Sequence, residues 1–332
     1  MSCTMKKVTL AAIGLTFSIT IGGASAQVRP EIHPVETVTL STQEFLLGEK
    51  NGSPTLVAGE LRIPLAATGR LPAVILIHGS GGLGEYVERW AQEFNSVGVA
   101  SFVLDSFSGR GITSTVDDQS QLDTLAMMVD AYRALGVLAK HPRIDASRIA
   151  VMGFSKGAVA AVYSSNNRFR KMYAPPNLQF AAHIGLYTPC NIAYHEDEKV
   201  TGKPIRLYHG LADDYVPAEP CRAYVERLKK AGVDVTLTEY PGAYHNYDNF
   251  IRKDQLQPTF LPQAQTWRHC QLMEGAQGVI LNSQSGKPFD LSDPCLEKGA
   301  HLAYNDAATQ ATVKSVKEFL IVTFGLKPAR QP

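Results

Sequence analysis

Short apolar runs bounded by turn residues recur along this chain, and they alternate with longer stretches whose apolar residues repeat at helical spacing. The β-rich runs predict eight strands: Thr37–Leu46, Leu56–Ile63, Ala73–Ile77, Ala100–Leu104, Arg148–Gly153, Ala181–Tyr187, Ile205–Tyr208 and Asp234–Tyr240. The polar segment Glu49-Lys50-Asn51-Gly52-Ser53-Pro54 between the first two predicts an antiparallel entry. Helices are predicted over Glu85–Val97, Leu122–Lys140, Gly157–Ser165, Ala218–Ala231 and Ala307–Phe319. In the second of these, Leu122, Leu125, Val129, Tyr132, Leu135 and Leu138 fall near one face. Strands alternating with helices imply an α/β fold, with a mostly parallel eight-stranded sheet covered by helices on both faces.

One stretch breaks this rhythm. Asn246–Ala300 is rich in Gln, Asn, Pro and polar residues and has few periodic signals. It reads as a loop-rich or cap-like excursion before the last helix, within a single domain over residues 27–332. At the other end, Lys6-Lys7, an apolar stretch from Val8 to about Gly22, and Ala24-Ser25-Ala26 before Gln27 form a signal-peptide pattern over residues 1–26. The rival, an uncleaved anchor, is opposed by the short apolar stretch, diluted by Thr16, Ser18 and Thr20. The mature protein is therefore expected to be periplasmic or secreted, with no stable membrane anchor.

Composition narrows the function classes. With 332 residues the chain can bury a large core. Its 32 Lys and Arg balance 31 Asp and Glu, which gives no electrostatic case for nucleic acid. No phosphate-cradling glycine motif follows a strand, so no nucleotide cofactor, nor any other, is expected. Export changes how the cysteines read. Cys3 leaves with the signal, and Cys190, Cys221, Cys270 and Cys295 form an even set. Four cysteines allow three pairings. Cys190–Cys221 and Cys270–Cys295 are favoured, each contributing about 3 kcal/mol on the chain-entropy account. A zinc site is the weaker reading, because no C-x-x-C spacing is present, and no metal is expected.

The candidate chemistry starts at Gly153-Phe154-Ser155-Lys156-Gly157. It follows the run Arg148-Ile149-Ala150-Val151-Met152 and precedes Ala158-Val159-Ala160-Ala161-Val162. Strand, G-x-S-x-G, helix is the nucleophile-elbow context, in which a tight turn presents the serine hydroxyl at a sheet edge. Lys156 is not read as a base, since Ala158 stands where a Ser-x-x-Lys arrangement needs its lysine. Three further segments agree. Ile77-His78-Gly79-Ser80-Gly81-Gly82 follows the third strand and can offer main-chain amides at Ser80 and Gly81. With the amide of Lys156, these are the candidate oxyanion donors. His209-Gly210-Leu211-Ala212-Asp213-Asp214-Tyr215-Val216-Pro217 carries two competing acids. The D-x-x-V-P spacing favours Asp213, and Asp214 then reads as a helix-start residue. Tyr240-Pro241-Gly242-Ala243-Tyr244-His245-Asn246 supplies His245 as general base, the histidine that completes the order Ser…Asp…His.

The remaining histidines read as structural. His33 and His141 look like surface loop residues, and His183 falls inside a strand as a core histidine. His78 and His209 are expected to brace the glycine turns that follow them. His269 and His301 lie in or near the excursion. His195-Glu196-Asp197-Glu198 reads as a solvated acidic loop, with weak cation binding as its lesser alternative.

On these motifs the chain resembles the α/β-hydrolase superfamily, and within it dienelactone-hydrolase-like proteins. The resemblance covers roughly Leu71 to Phe250 and the final helix. Asp105-Ser106-Phe107-Ser108-Gly109-Arg110-Gly111 is similar to a turn of that group, with Arg110 expected to brace Asp105 rather than face substrate. The chain departs from that family in carrying Ser155 where a cysteine nucleophile is usual, and in the excursion after His245. The resemblance implies an α/β-hydrolase fold and an ester or lactone hydrolase. In that chemistry Ser155 attacks a carbonyl, His245 takes its proton, Asp213 holds the imidazole, and water releases the acyl group. Activity is expected to fall on acidification, as the histidine base takes a proton. The partner is a small ester or lactone. A peptidase is a second reading, with His195–Glu198 its one candidate amine-binding cluster. A non-catalytic binding protein on a hydrolase scaffold is a third.

Overall fold

The computed structural model describes residues 27–255 and 257–326. The expected export signal, residues 1–26, lies outside them. In chain order the elements begin β1 (Val28–Thr39), α1 (Thr42–Leu47), β2 (Ser53–Pro64), β3 (Leu71–Ile77), α2 (Glu85–Ser96), β4 (Ala100–Asp105), α3 (Thr124–Ala139) and β5 (Ile144–Phe154). They continue α4 (Lys156–Tyr163), α5 (Asn167–Tyr173), β6 (His183–Leu186), β7 (Ile192–Ala193), β8 (Ile205–Gly210), α6 (Glu219–Lys230) and β9 (Val235–Tyr240). Last come β10 (Thr259–Thr266), β11 (Leu272–Glu274), β12 (Ile280–Asn282), β13 (Glu297–Leu302) and α7 (Asp306–Phe324).

Eight strands form one sheet in the order β1-β2-β4-β3-β5-β6-β8-β9. The β1–β2 and β2–β4 pairs are antiparallel, and every pair from β4 to β9 is parallel. Alternation on the central strands divides the core in two. Ala73, Ile75 and Ile77 of β3 join one cluster with α3 and α4. Val74 and Leu76 join the other, with α2 and α7. A strand buried on both faces reads as continuous apolar sequence, and all of β3 is buried.

The first predicted strand needs correction. Strand character ends at Thr39, and Thr42–Leu47 is helical. Ser41 caps it: its hydroxyl accepts from the Glu44 amide, and the Glu44 carboxylate accepts from the Ser41 amide at 2.7 Å. The apolar pair Phe45-Leu46 mimicked a strand, while Ser41-x-x-Glu44 was the helix signal. The real strand extends backwards through Val28–Pro34, whose prolines and charges suit an edge position.

The expected loop-rich excursion is also more ordered than its composition implied. β10 pairs antiparallel with β13. β11 pairs with β12, and its other edge pairs parallel with β7, which follows the main-sheet strand β6. A disulfide between Cys270 and Cys295 lies within this insertion, and a second joins Cys190 to Cys221 on α6. No helix among the described residues is long and apolar enough to cross a membrane.

Candidate active site

Ser155 lies between β5 and α4 with φ 50° and ψ −117°, a backbone conformation that a non-glycine residue adopts only under constraint. The constraint is close packing. A Cβ at Gly157 would lie 2.3 Å from the His78 carbonyl oxygen, and one at Gly153 would lie 2.1 Å from that of Gly157. Only hydrogen at those two positions lets the elbow press against the β3 loop.

Three loops at the carboxyl ends of parallel strands converge there. The Ser155 hydroxyl donates to His245 Nε2 at 3.0 Å. His245 Nδ1 donates to Asp213 Oδ2 at 2.7 Å. The other oxygen of Asp213 accepts the amides of Tyr215 and Val216, at 3.0 and 2.8 Å. Asp213 is 6 % and His245 4 % exposed, so water does not compete strongly for these bonds. The rings of Tyr187 and Tyr215 lie against the imidazole, with centroids 4.6 and 4.8 Å away. Tyr187 and Asn246, both beside His245, also have positive φ, at 40° and 58°.

The His78–Gly82 turn abuts the elbow. His78 Nδ1 donates to the Gly79 carbonyl, and its Nε2 accepts the Ser106 amide. His209 Nε2 donates to the Val216 carbonyl at 2.7 Å, which ties the acid loop to the end of β8. Burial holds the pKa of both histidines below the ordinary value, so both are neutral braces. The Gly79 amide is taken by Tyr86 Oη and the Gly82 amide by the Gly79 carbonyl. Lys156, the first residue of α4, has an amide with no helical acceptor. Its ammonium is buried and donates at 3.1 Å to both the main-chain and side-chain oxygens of Gln119. Desolvation pushes it down to about 8.

Beside Ser155 opens a cavity of about 430 Å³. Val159, Tyr194 and Tyr215 line it from the sheet side, and Trp267, Phe289 and Leu291 from the insertion.

Several residues take other places than the sequence suggested. Arg110 neither braces Asp105 nor faces the cavity. It forms a two-pronged pair with buried Asp130 of α3 at 2.8 and 3.0 Å, which also accepts from Thr37 of β1. Asp105 instead caps its own turn through the Phe107 and Ser108 amides. Asp214 is not at a helix start. It accepts the amide and Nδ1 of His301 on β13, at 2.9 and 2.7 Å. In the His195–Glu198 loop His195 and Glu196 are exposed, as expected, and Glu196 pairs with Lys199, but Asp197 is buried against Arg227. His183 is a core histidine that burial pushes down to about 4.

His33 stands on β1 rather than in a loop, and His141 lies in the loop between α3 and β5; both are partly buried. Their Nε2 atoms share one oxygen of Glu31, at 3.2 and 3.0 Å. The three residues place ligand-type atoms within 4.8 Å of one another. However, the Arg143 amide donates to His141 Nδ1, which leaves the ring proton on Nε2, facing Glu31. That tautomer makes the trio a hydrogen-bonded brace and does not suit a metal ion.

Residues 57–266 match the dienelactone hydrolase family. The chain belongs to the dienelactone hydrolase family. As a member of that family it is a hydrolase acting on ester bonds, of esters or lactones. A Bradyrhizobium protein named a probable 2-oxo-3-(5-oxofuran-2-ylidene)propanoate lactonase is 22 % identical over 213 residues, 58 % of this chain and 82 % of that protein. Among solved structures, esterase 2 of Thermogutta terrifontis, phosphorylated by paraoxon, has a TM-score of 0.55 at 17 % identity, covering 91 % of this chain and 96 % of that one. A dienelactone-hydrolase-like promiscuous phosphotriesterase from metagenomic libraries has a TM-score of 0.52 at 16 % identity, covering 90 % and 98 %. At these identities the likeness is one of fold.

Sequence reasoning missed four contributors to this dienelactone hydrolase family site. Tyr187 and Tyr215 flank the histidine. Gln119 bridges the Lys156 ammonium and the Ser80 hydroxyl. Asp248 is a buried carboxyl, held protonated more readily than usual by desolvation, that accepts from Trp90 and Tyr187. Their contacts span dozens of residues in sequence, and no local motif marks them.

Proposed function

We propose that this family member is an exported serine esterase that cleaves small carboxylic esters or lactones through an acyl-enzyme on Ser155. The observation that carries the reading is the bonded series Ser155–His245–Asp213, at 3.0 and 2.7 Å, on a strained elbow. Ser155 Oγ attacks the substrate carbonyl as its proton passes to His245 Nε2. Asp213 holds the Nδ1–H tautomer and stabilises the imidazolium. The amides of Lys156 and of the Ser80–Gly81 turn donate to the oxyanion, each worth about 3 kcal/mol of barrier. His245 then protonates the departing alcohol, and a water it deprotonates attacks the acyl carbon to regenerate Ser155. The cavity of about 430 Å³ suits one small substrate moiety. Two disulfides support an oxidising compartment and hence export.

Steady-state assays on p-nitrophenyl acetate, an acetylated sugar and a γ-lactone test the reading. The parent is expected to turn over at least one of them, with the Ser155→Ala variant lower by about 10⁴-fold or more. Full turnover by a folded Ser155→Ala protein contradicts it.

A further inference from the structure

The insertion reaches the candidate site through two neighbouring residues of β10, and they point in opposite directions, as neighbours on a strand must. Gln265 Oε1 accepts the Gln119 amide at 2.9 Å, while the Gln265 amide donates to the Val116 carbonyl. Gln119 in turn donates to the Ser80 hydroxyl at 3.1 Å and accepts the Lys156 ammonium. This arm ends on the two segments that offer oxyanion amides. On the other side, the Thr266 hydroxyl donates to the Tyr215 carbonyl at 2.7 Å, a buried bond. The Tyr215 amide holds Asp213, and its ring lies on His245. Tyr215 also packs with Ala264 of β10 and Ala300 of β13 in a small core of its own. β13 adds the His301–Asp214 bonds, one residue from Asp213, and a backbone bridge between Leu302 and His245.

We propose that Gln265 and Thr266 are positioning residues of the esterase, one setting the oxyanion side of the site and the other the acid–histidine side. This rests on the Ser155 reading above. Neither residue supplies a reacting atom. Gln265 fixes Gln119, and thereby the distance between the Ser80 turn and the start of α4. Thr266 fixes Tyr215, and thereby the Asp213 carboxylate and the His245 ring. Misplacement of such groups by about 1 Å can cost on the order of 100-fold in rate.

The test uses near-isosteric variants with conservative rescues, in the full mature protein. Gln265→Met removes the acceptor and Gln265→Glu keeps it. Thr266→Val removes the donor and Thr266→Ser keeps it. Gln265→Met is expected to lower kcat and the rate of Ser155 phosphonylation by about tenfold or more, with KM nearly unchanged and the acid limb of the pH–rate profile in place. Thr266→Val is expected to lower kcat similarly and to displace that acid limb. Each conservative variant recovers most of the loss. His301→Ala, a change at a partly exposed side chain, is expected to move the acid limb in the same direction as Thr266→Val, and it reports on the same side if the Val variant does not fold. The proposal is overturned if both near-isosteric variants stay within about twofold of the parent, or if Glu and Ser restore nothing. Active Ser155→Ala protein overturns the function reading itself, which keeps the two failures distinct.

Discussion

β3 and β10 show how differently one chain can hold two of its strands in place. All seven residues of β3 are buried, and its neighbours on both sides are parallel strands. In β10 only Ala264 and Thr266 are buried, and its single partner is β13. The central sheet is held by apolar area on two faces, so its loops inherit a rigid edge that can carry a strained Ser155. The insertion has little such area. It is held by specific bonds, namely Thr266 to Tyr215, Gln265 to Gln119, His301 to Asp214, and the Cys270–Cys295 disulfide. On the proposed mechanism the labour is divided: the sheet edge supplies the reacting groups, and the insertion supplies a wall of the cavity and a set of tethers.

The strongest way to break that division is to change the sheet edge. Asp213→Asn is expected to lower kcat by about 10⁴-fold while leaving the fold intact, since the wrong histidine tautomer is then favoured. Gly157→Ala comes next. Its new Cβ, 2.3 Å from the His78 carbonyl, must push the elbow from the β3 loop. It is expected to cost about 1–3 kcal/mol of stability and at least about tenfold in kcat, read by urea titration and ester turnover.

Changes in the insertion sharpen the comparison instead. Replacing Cys270 and Cys295 together by Ala is expected to cost about 3 kcal/mol or less. Hydrogen exchange should quicken in residues 259–302 and stay slow in β3 and β5, because the tethered unit opens apart from the core. Equal loosening of both would erase the distinction.

The smallest effect tests the sheet's interior. Burial holds His183 at about 4, so it stays neutral in the folded protein while an unfolded histidine takes a proton near about pH 6.5. The unfolded chain then binds more protons, and stability is lost as pH falls from about 6.5 toward 4. Each such histidine contributes a slope of up to about 1.4 kcal/mol per pH unit. His78 and His209 are shifted in the same direction. His183→Gln should flatten the stability–pH curve between pH 6.5 and 5 without moving the pH–rate profile.

The same contrast explains what could be read from the sequence. β3 and the second half of β5 announce themselves as continuous apolar runs that lead into His78-Gly79 and Gly153-Phe154-Ser155, and β8 does so with only Arg206 interrupting before His209-Gly210, because burial on both faces leaves the composition little freedom. The edge strand β1 does not, since one face of it meets water and carries Pro30, Pro34 and Glu36. β10 to β13 were invisible for a related reason. β10 finds β13 and β11 finds β7 only across long stretches of chain, and polar strands held by tethers look like loops in composition. Arg110 met Asp130 and Asp214 met His301 because the fold brought them together, although nearer charges were available as partners.

The most direct test is peptide-level mass spectrometry after treatment with a fluorophosphonate ester. The account predicts one covalent adduct, on Ser155, forming in step with loss of esterase activity and suppressed in His245→Ala. Complete inactivation with the adduct on another residue, or an active, folded protein that never labels at Ser155, contradicts it.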